Sequence, residues 1–318
     1  MSSKIQWTDE TWNPSVGCSD VSEGCRNCYA RRIAWRLQHN PRLGERYAGT
    51  VRKSSTGALK WTGRVNLIPD LLEKPLRWKR PRRVFVDSQT DLFHPEVPDT
   101  YIAAVLGIIA ACPDHTFQLL TKRPERLLQW MTSIAFGQPP EVTCAQAAKA
   151  FTDIDVELPQ GGTGWPLPNL WLGVSIEDQQ TADDRIPLLL QCPAAVRFVS
   201  YEPALSPVTF ELGGDFELGT TYNALTGRFS GNDSVGPSLD WIIMGGESGD
   251  AARPFVTDWA RSVRDECAEA GVAFFLKQLG RRPTCDLNSA QGWLNLKDSH
   301  GGDVDEWPLD LRVREFPS

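Results

Sequence analysis

Three cysteines, Cys18, Cys25 and Cys28, stand in a C-x6-C-x2-C array on the stretch TWNPSVGCSDVSEGCRNCYARR, Thr11 to Arg32. Three of the chain's eight cysteines within eleven residues mark a place built to bind. Thiolates are soft ligands, suited to zinc or to iron–sulfur clusters. Around them Gly17 and Gly24 allow close backbone approach and Asn13-Pro14 turns the chain inward. Ser15, Ser19 and Ser22 bring hydroxyls, which stabilise thiolates and tune a cluster's potential. Three sulfur ligands leave one coordination position over. A structural zinc takes four closed ligands, yet no second C-x2-C is present, and His39, His94, His115 and His300 are scattered. A [4Fe–4S] cluster on three thiolates keeps one iron open for a chelating cofactor. The residues by themselves leave three alternatives: an iron–sulfur site, a zinc site and unliganded thiols. A disulfide framework is disfavoured, because neither a secretory leader nor paired cysteines are evident. Cys112, Cys144, Cys192, Cys267 and Cys285 read as packing residues.

The elements that must carry this loop follow from the rhythm of the chain. An extended segment precedes Cys18, and Tyr29 to His39 places Ala30, Ile33, Ala34 and Leu37 on one helix face. Pro41 to Thr62 reads as a long loop, Val65 to Leu67 as a short strand, and Pro69 to Lys79 as a helix opened by proline. From there an apolar strand, a polar cluster at its end and an amphipathic helix recur. Strands are expected at Val84 to Val86, Phe117 to Leu120, Leu170 to Val174, Val196 to Val199, Trp241 to Met244 and Ala273 to Leu276. Helices are expected at Tyr101 to Cys112, Glu125 to Thr132, near Asp183 to Gln191, and at Asp258 to Ala270. Continuously apolar strands alternating with helices predict a parallel sheet covered on both faces. About eight such units predict an α/β fold of the TIM-like (β/α) barrel type, full or partial. An open doubly wound sheet is the runner-up. The barrel is expected over 1–280, with insertions at about 134–168 and 209–238, the second as a hairpin over the pocket. Residues 281–318 then form an irregular C-terminal cap on the rim.

In a barrel the strand ends meet at one rim, where ligands bind. That step would gather Asp87, Ser88, Asp91, Lys122, Arg123, Ser175, Glu177, Ser200, Glu202, Glu247 and Lys277 around the cysteine loop.

The wording of these segments carries a resemblance. TWNPSVGC, CRNCYA, FVDSQTDLFH, LLTKRP, LGVSIED, VSYEP and IMGGESG, from Trp7 to about Gly280, resemble a family of phage-associated and bacterial three-cysteine proteins related to the radical S-adenosylmethionine (SAM) superfamily. The resemblance implies a [4Fe–4S] cluster on Cys18, Cys25 and Cys28, with SAM chelating the fourth iron. Reductive cleavage would then give a 5′-deoxyadenosyl radical. The commonest superfamily spacing is C-x3-C-x2-C with an aromatic before the last cysteine; here six residues separate the first pair and Tyr29 follows the last. By position, Asp87, Ser88 and Asp91 match the motif that meets the SAM ammonium. Lys122 or Arg123 is a partner for the SAM carboxylate or a substrate phosphate. Ser175, Glu177, Glu202 and Glu247 are candidates for the ribose or the substrate. An external electron donor is implied, and the expected substrate is a small molecule or nucleotide, with nucleic acid as a further candidate. The cofactor supplies the reactive chemistry and the protein orients it and excludes water.

Composition sets the outer bounds. The 318 residues, 41% of them hydrophobic, can bury a sizeable core. No apolar run is long enough to span a bilayer, and MSSKIQWTDE lacks a leader's profile, so a cytoplasmic protein without a membrane partner is expected. A net charge of −7 argues against broad electrostatic binding of nucleic acid. Locally, KPLRWKRPRR, Lys74 to Arg83, carries six positive charges around Trp78, and Arg31, Arg32 and Arg36 follow the cysteines. A non-catalytic iron–sulfur or zinc protein that binds nucleic acid or a partner through the Lys74 to Arg83 stretch is the competing reading.

Overall fold

Six of the expected apolar runs and the extended segment before Cys18 become the strands of one sheet. They are β1 (Glu10–Trp12), β2 (Arg83–Val86), β3 (Thr116–Thr121), β4 (Leu170–Ile176), β5 (Val196–Tyr201), β6 (Trp241–Gly245) and β7 (Ala273–Gln278). The computed structural model describes residues 5–133, 139–152, 154–213, 220–231, 233–289 and 292–317. The strands lie side by side in chain order from β1 to β7. Where register is defined, β1 with β2, β2 with β3, β5 with β6 and β6 with β7 all pair in parallel. Winding without reversal belongs to the TIM-like pattern; a doubly wound sheet turns back at a switch point. Among the described residues no eighth strand joins the edges β1 and β7. The fold is therefore mixed α/β on a seven-stranded parallel sheet, a partial form of the expected architecture.

The missing eighth unit has a local reason. Asn66–Leu67 is extended as expected, but it pairs antiparallel with Ser15–Val16 and stays outside the main sheet. The expected helix over 69–79 is replaced by two 3-10 turns, Pro69–Leu71 and Pro75–Arg77. Pro75 has no N–H and its ring clashes with the preceding turn, so a continuous helix cannot pass through it.

Helices follow the strands: α1 (Tyr29–Gln38), α2 (Asp99–Ala110), α3 (Pro124–Ser133), α4 (Pro140–Thr152), α5 (Gln179–Gln191) and α6 (Thr257–Ala270). The chain divides into two compact units, Met1–Leu172 with Cys192–Ala195, and Gly173–Gln191 with Val196–Ser318.

In the first unit α2 is buried over ten consecutive residues, Tyr101 to Ala110, because α4 covers a face that the sheet does not. Their backbones come so close that a Cβ on Gly107 would lie 2.2 Å from the carbonyl oxygen of Cys144. The first expected insertion thus supplies a covering helix; its residues 134–138 and 153 lie outside those described. A second, smaller core lies under the cysteine loop. Val16, Ala30, Ala34, Tyr47, Val51, Trp61 and Ile68 are packed together, and Cys18 and Cys28 sit on its margin. The stretch expected as a loop over 41–62 contributes an antiparallel hairpin, Val51–Lys53 with Leu59–Trp61, to this core.

In the second unit the other expected insertion forms a three-stranded antiparallel ribbon, Glu211–Gly213, Thr221–Asn223 and Arg228–Phe229, while 214–219 and 232 lie outside the described residues. Just past the end of β7 the Leu279 N–H donates to the Gly301 carbonyl at 2.8 Å, and the last residues extend beyond a cap. They run along β7, where Leu276 N–H donates to the Val313 carbonyl and Glu315 N–H to that of Phe274, both 2.9 Å. Phe316 packs on Trp241 and Phe275. An uncovered edge strand offers its backbone to any other chain, and this tail removes that exposure.

Candidate metal centre

The cysteine loop leaves the end of β1 and is tied to the end of β2. Asp87, with a positive φ of 55°, is buried there. Its two carboxylate oxygens accept hydrogen bonds from the Ser15 N–H at 3.1 Å and the Ser15 hydroxyl at 2.9 Å. Burial pushes the Asp87 carboxyl up to about 7 against the opposing pull of those bonds. Ser88 donates to Asn13 Oδ1 at 3.0 Å, and its carbonyl receives the Tyr29 hydroxyl at 3.0 Å. The Gly17 N–H donates to the Gln89 carbonyl, and the Thr90 hydroxyl to the carbonyl of Gly17. Gly17 itself has φ 105°, and a Cβ there would lie 2.2 Å from the Arg64 carbonyl oxygen.

Asp91 is the hub. Its Oδ1 accepts from Phe93 N at 3.0 Å and Thr121 Oγ1 at 2.7 Å; its Oδ2 accepts from Lys122 N at 3.0 Å and Arg123 Nη1 at 2.8 Å. The guanidinium of Arg123, 11% exposed, continues into the cysteine loop: Nη2 donates to the Ser19 hydroxyl at 2.9 Å and carbonyl at 3.2 Å, and Nη1 stands 4.0 Å from Cys18 Sγ. The Ser19 hydroxyl also meets His94 Nε2 at 2.9 Å, while His94 Nδ1 accepts from Glu96 N at 3.2 Å. That second bond fixes the proton on Nε2. Burial first, and Arg123 next, pull the imidazole down to about 4, so it is neutral at ordinary pH.

From the other side, Arg31 pins the loop. It is 5% exposed, pairs with Asp20 at 3.0 Å and donates to the carbonyls of Cys25 and Arg26. The expected placement of Arg31 on a basic outer face is thus corrected. Position 31 lies one residue from Ala30 and three from Ala34, on the buried side of α1.

All three thiols are half-buried and free. Burial, then Asp91, pushes Cys18 up to about 12, with Cys28 and Cys25 adding to the effect and Arg123 opposing it. Burial also raises Cys28, which stands at the N-cap of α1; the first-turn N–H groups of Arg31 and Ala30 partly offset it. Of the three expected hydroxyls only Ser22 reaches a sulfur, Cys25 Sγ at 3.9 Å; Ser15 and Ser19 serve Asp87 and Arg123. Burial that raises Cys18 and Cys28 disfavours their thiolates, and added positive charge, which a bound metal supplies, offsets it. In donor type the loop therefore fits a metal assembly. Among the described residues no group of three or more His, Cys, Asp or Glu is arranged to hold a single ion.

The remaining predicted residues assemble in the second unit, each with a partner. Glu177, fully buried, pairs with Arg185 at 3.2 Å, and Arg185 also donates to the Ser175 carbonyl at 2.5 Å. Ser175 donates to the Glu202 carbonyl at 3.3 Å. Glu202 is held by Lys277 at 3.0 Å and by the Ser200 hydroxyl at 3.3 Å. A Cβ on Gly245 would meet the Glu202 carboxylate at 2.6 Å. Glu247 forms a two-pronged pair with Arg253, 2.8 Å to Nη2 and 3.1 Å to Nε. The predicted residues thus divide between the two units, and Asp87, Ser88, Asp91 and Lys122 fall in the one that holds the cysteines. Ser19 was expected at the site as a thiolate partner and is instead a partner of Arg123 and His94, whereas Arg31 and His94 were missed as residues that hold the loop; His94 closes the FVDSQTDLFH segment.

The basic stretch at 74–83 is largely neutralised. Lys74 and Arg82 pair with Glu10, Arg83 with Asp9 and Arg77 with Glu73, while Lys74 and Arg82 both lie over the Trp78 ring. Among the described residues no helix is long and apolar enough to cross a membrane.

Compared with known families, the chain matches the model described as "Protein of unknown function (DUF5131)" over residues 2–306. The chain belongs to that family. The match spans β1 to β7 and includes the whole cysteine loop. Neither a curated protein nor a solved structure matches it.

Proposed function

We propose that this chain is a radical SAM enzyme that holds a [4Fe–4S] cluster on Cys18, Cys25 and Cys28 and binds SAM at the iron left without a protein ligand. The observation that carries the reading is the loop itself: three half-buried thiols in one another's electrostatic field, on a loop pinned by Arg31 and Arg123. With SAM bound, such a cluster supplies reductive cleavage and hydrogen abstraction from the substrate, here a small molecule, nucleotide or nucleic-acid base, with electrons from an external donor.

The chain's own residues hold and shield. Asp91 orients Arg123, and Arg123 brings a positive charge to Cys18 and ties down Ser19. Asp87 and Ser88 clamp the loop to β2 through Ser15 and Asn13. Because the oxygens of Asp87, Asp91, Glu177 and Glu247 are already engaged, we assign these four to shaping the strand ends. Lys122, partly exposed and next to the Asp91 network of the first unit, is the group we assign to ligand binding beside the cysteines.

The internal pairing of the acidic groups also favours a second reading, a non-catalytic metal protein that binds nucleic acid or a protein partner. Anaerobic incubation of the reconstituted protein with SAM and dithionite separates the two. Formation of 5′-deoxyadenosine supports the enzyme; a loaded cluster that leaves SAM intact supports the second reading.

A further inference from the structure

The charge of this acidic chain is distributed unevenly. Residues 26–64, which hold α1 and the hairpin Val51–Lys53 with Leu59–Trp61, carry ten of its 33 Lys and Arg and, in Glu45, one of its 40 Asp and Glu. The rest of the chain is left with 23 against 39. Arg31 and Arg46 reach Asp20 and Asp70, and none of the other eight forms a salt bridge among the described residues.

Local geometry makes this arrangement costly to the fold. Arg52 and Lys60 are directly opposite each other on the hairpin, both exposed, and like charges in that position repel. Arg32 and Arg36 are four apart on α1 and exposed, which is also unfavourable. Tyr29, 44% exposed, lies on the same helical stripe as Arg32 and Arg36, and exposed Arg26 sits at the turn before it. The stripe starts beside Cys28. On its flank the Lys53 ammonium lies 5.4 Å from the centre of the Trp35 ring, linking hairpin to helix.

We propose that this module binds a single-stranded nucleic acid, with the phosphate backbone following the α1 stripe toward the cysteine loop. Arginine predominates among its cations, and the guanidinium fork matches phosphate. An exposed aromatic interleaved with cations is how such proteins stack bases without reading sequence. A lipid surface is the poorer fit: between Ala30 and Arg64 no large apolar side chain is exposed. This deepens the proposed function by naming the substrate class, and rests on that reading only for the statement that the bound strand is what reacts.

Fluorescence anisotropy of a labelled single-stranded oligonucleotide with the full chain, metal-free and reconstituted, across a salt series tests it. Both forms should bind, more weakly as salt rises. R32E/R36E should weaken binding about tenfold or more and lower the salt slope by roughly 0.7 per lost phosphate contact, with its circular dichroism spectrum unchanged. Equal affinity for polyglutamate or for phosphatidylserine vesicles, tighter binding of duplex, or parental affinity in R32E/R36E would overturn the proposal. If the oligonucleotide binds but no cluster assembles, the enzymatic reading fails alone; a loaded cluster without binding defeats this inference alone.

Discussion

At the residue scale the site turns on Asp91, a buried carboxylate whose oxygens accept four hydrogen bonds and which carries Arg123 to Cys18. Removing the charge from one member of a buried pair leaves the other uncompensated. Asp91→Asn should therefore cost about 3 kcal/mol in urea unfolding and loosen the loop that Arg123 ties down. Asp87 makes a prediction in pH. Its folded-state pKa of about 7 lies above the ordinary carboxyl value of 3.8, so the stability it contributes is complete at low pH and is lost as pH rises toward 7. Asp87→Asn, which mimics the protonated group, should match the parent at pH near 4 and exceed it in urea midpoint at pH 8; an equal gap at both would contradict the assignment. The cysteines were legible because three soft ligands in one loop are a local pattern. The Asp91–Arg123 pair was not, since residues 32 apart become partners only when β2 and β3 lie side by side.

At the scale of elements, the alternation of apolar runs and amphipathic segments was enough to anticipate β2 to β7, since burial on both faces demands continuous apolar sequence; β1, Glu-Thr-Trp, has no apolar run and was expected only as an extended segment. The failures came where a short-range feature overrode the period. Pro75 divided one expected helix, and the two residues Asn66–Leu67 joined Ser15–Val16 instead of the sheet. The covering role of the tail was invisible, because a single antiparallel bridge, Phe275 with Arg314, leaves no periodic signal. Ending the chain at Arg312 should expose β7 and drive self-association, which size-exclusion chromatography would register as loss of the monomer-sized peak. Gly107→Ala should cost about 3 kcal/mol or more, because its new methyl meets backbone on α4 that cannot turn aside.

At the scale of the molecule, an acidic chain concentrates positive charge in the segment that follows its cysteine loop, and the repulsion this creates is a cost borne by folding. Lys60→Glu should relieve the clash with Arg52 and raise stability by about 0.5 kcal/mol. Thermal melts of the parent and K60E would show whether the gain appears. Which of the strand-end groups share one site could not be read from residue types, because acids placed to meet a ligand and acids placed to meet an internal arginine look the same in sequence. The account as a whole stands on the loop of Cys18, Cys25 and Cys28, and the most direct measurement is metal content after anaerobic reconstitution of the parent, Cys25→Ala and Cys192→Ala. The prediction is about four irons per chain with matching sulfide in the parent and in Cys192→Ala, and loss of both in Cys25→Ala. A single zinc per chain, or iron retained without Cys25, would contradict it.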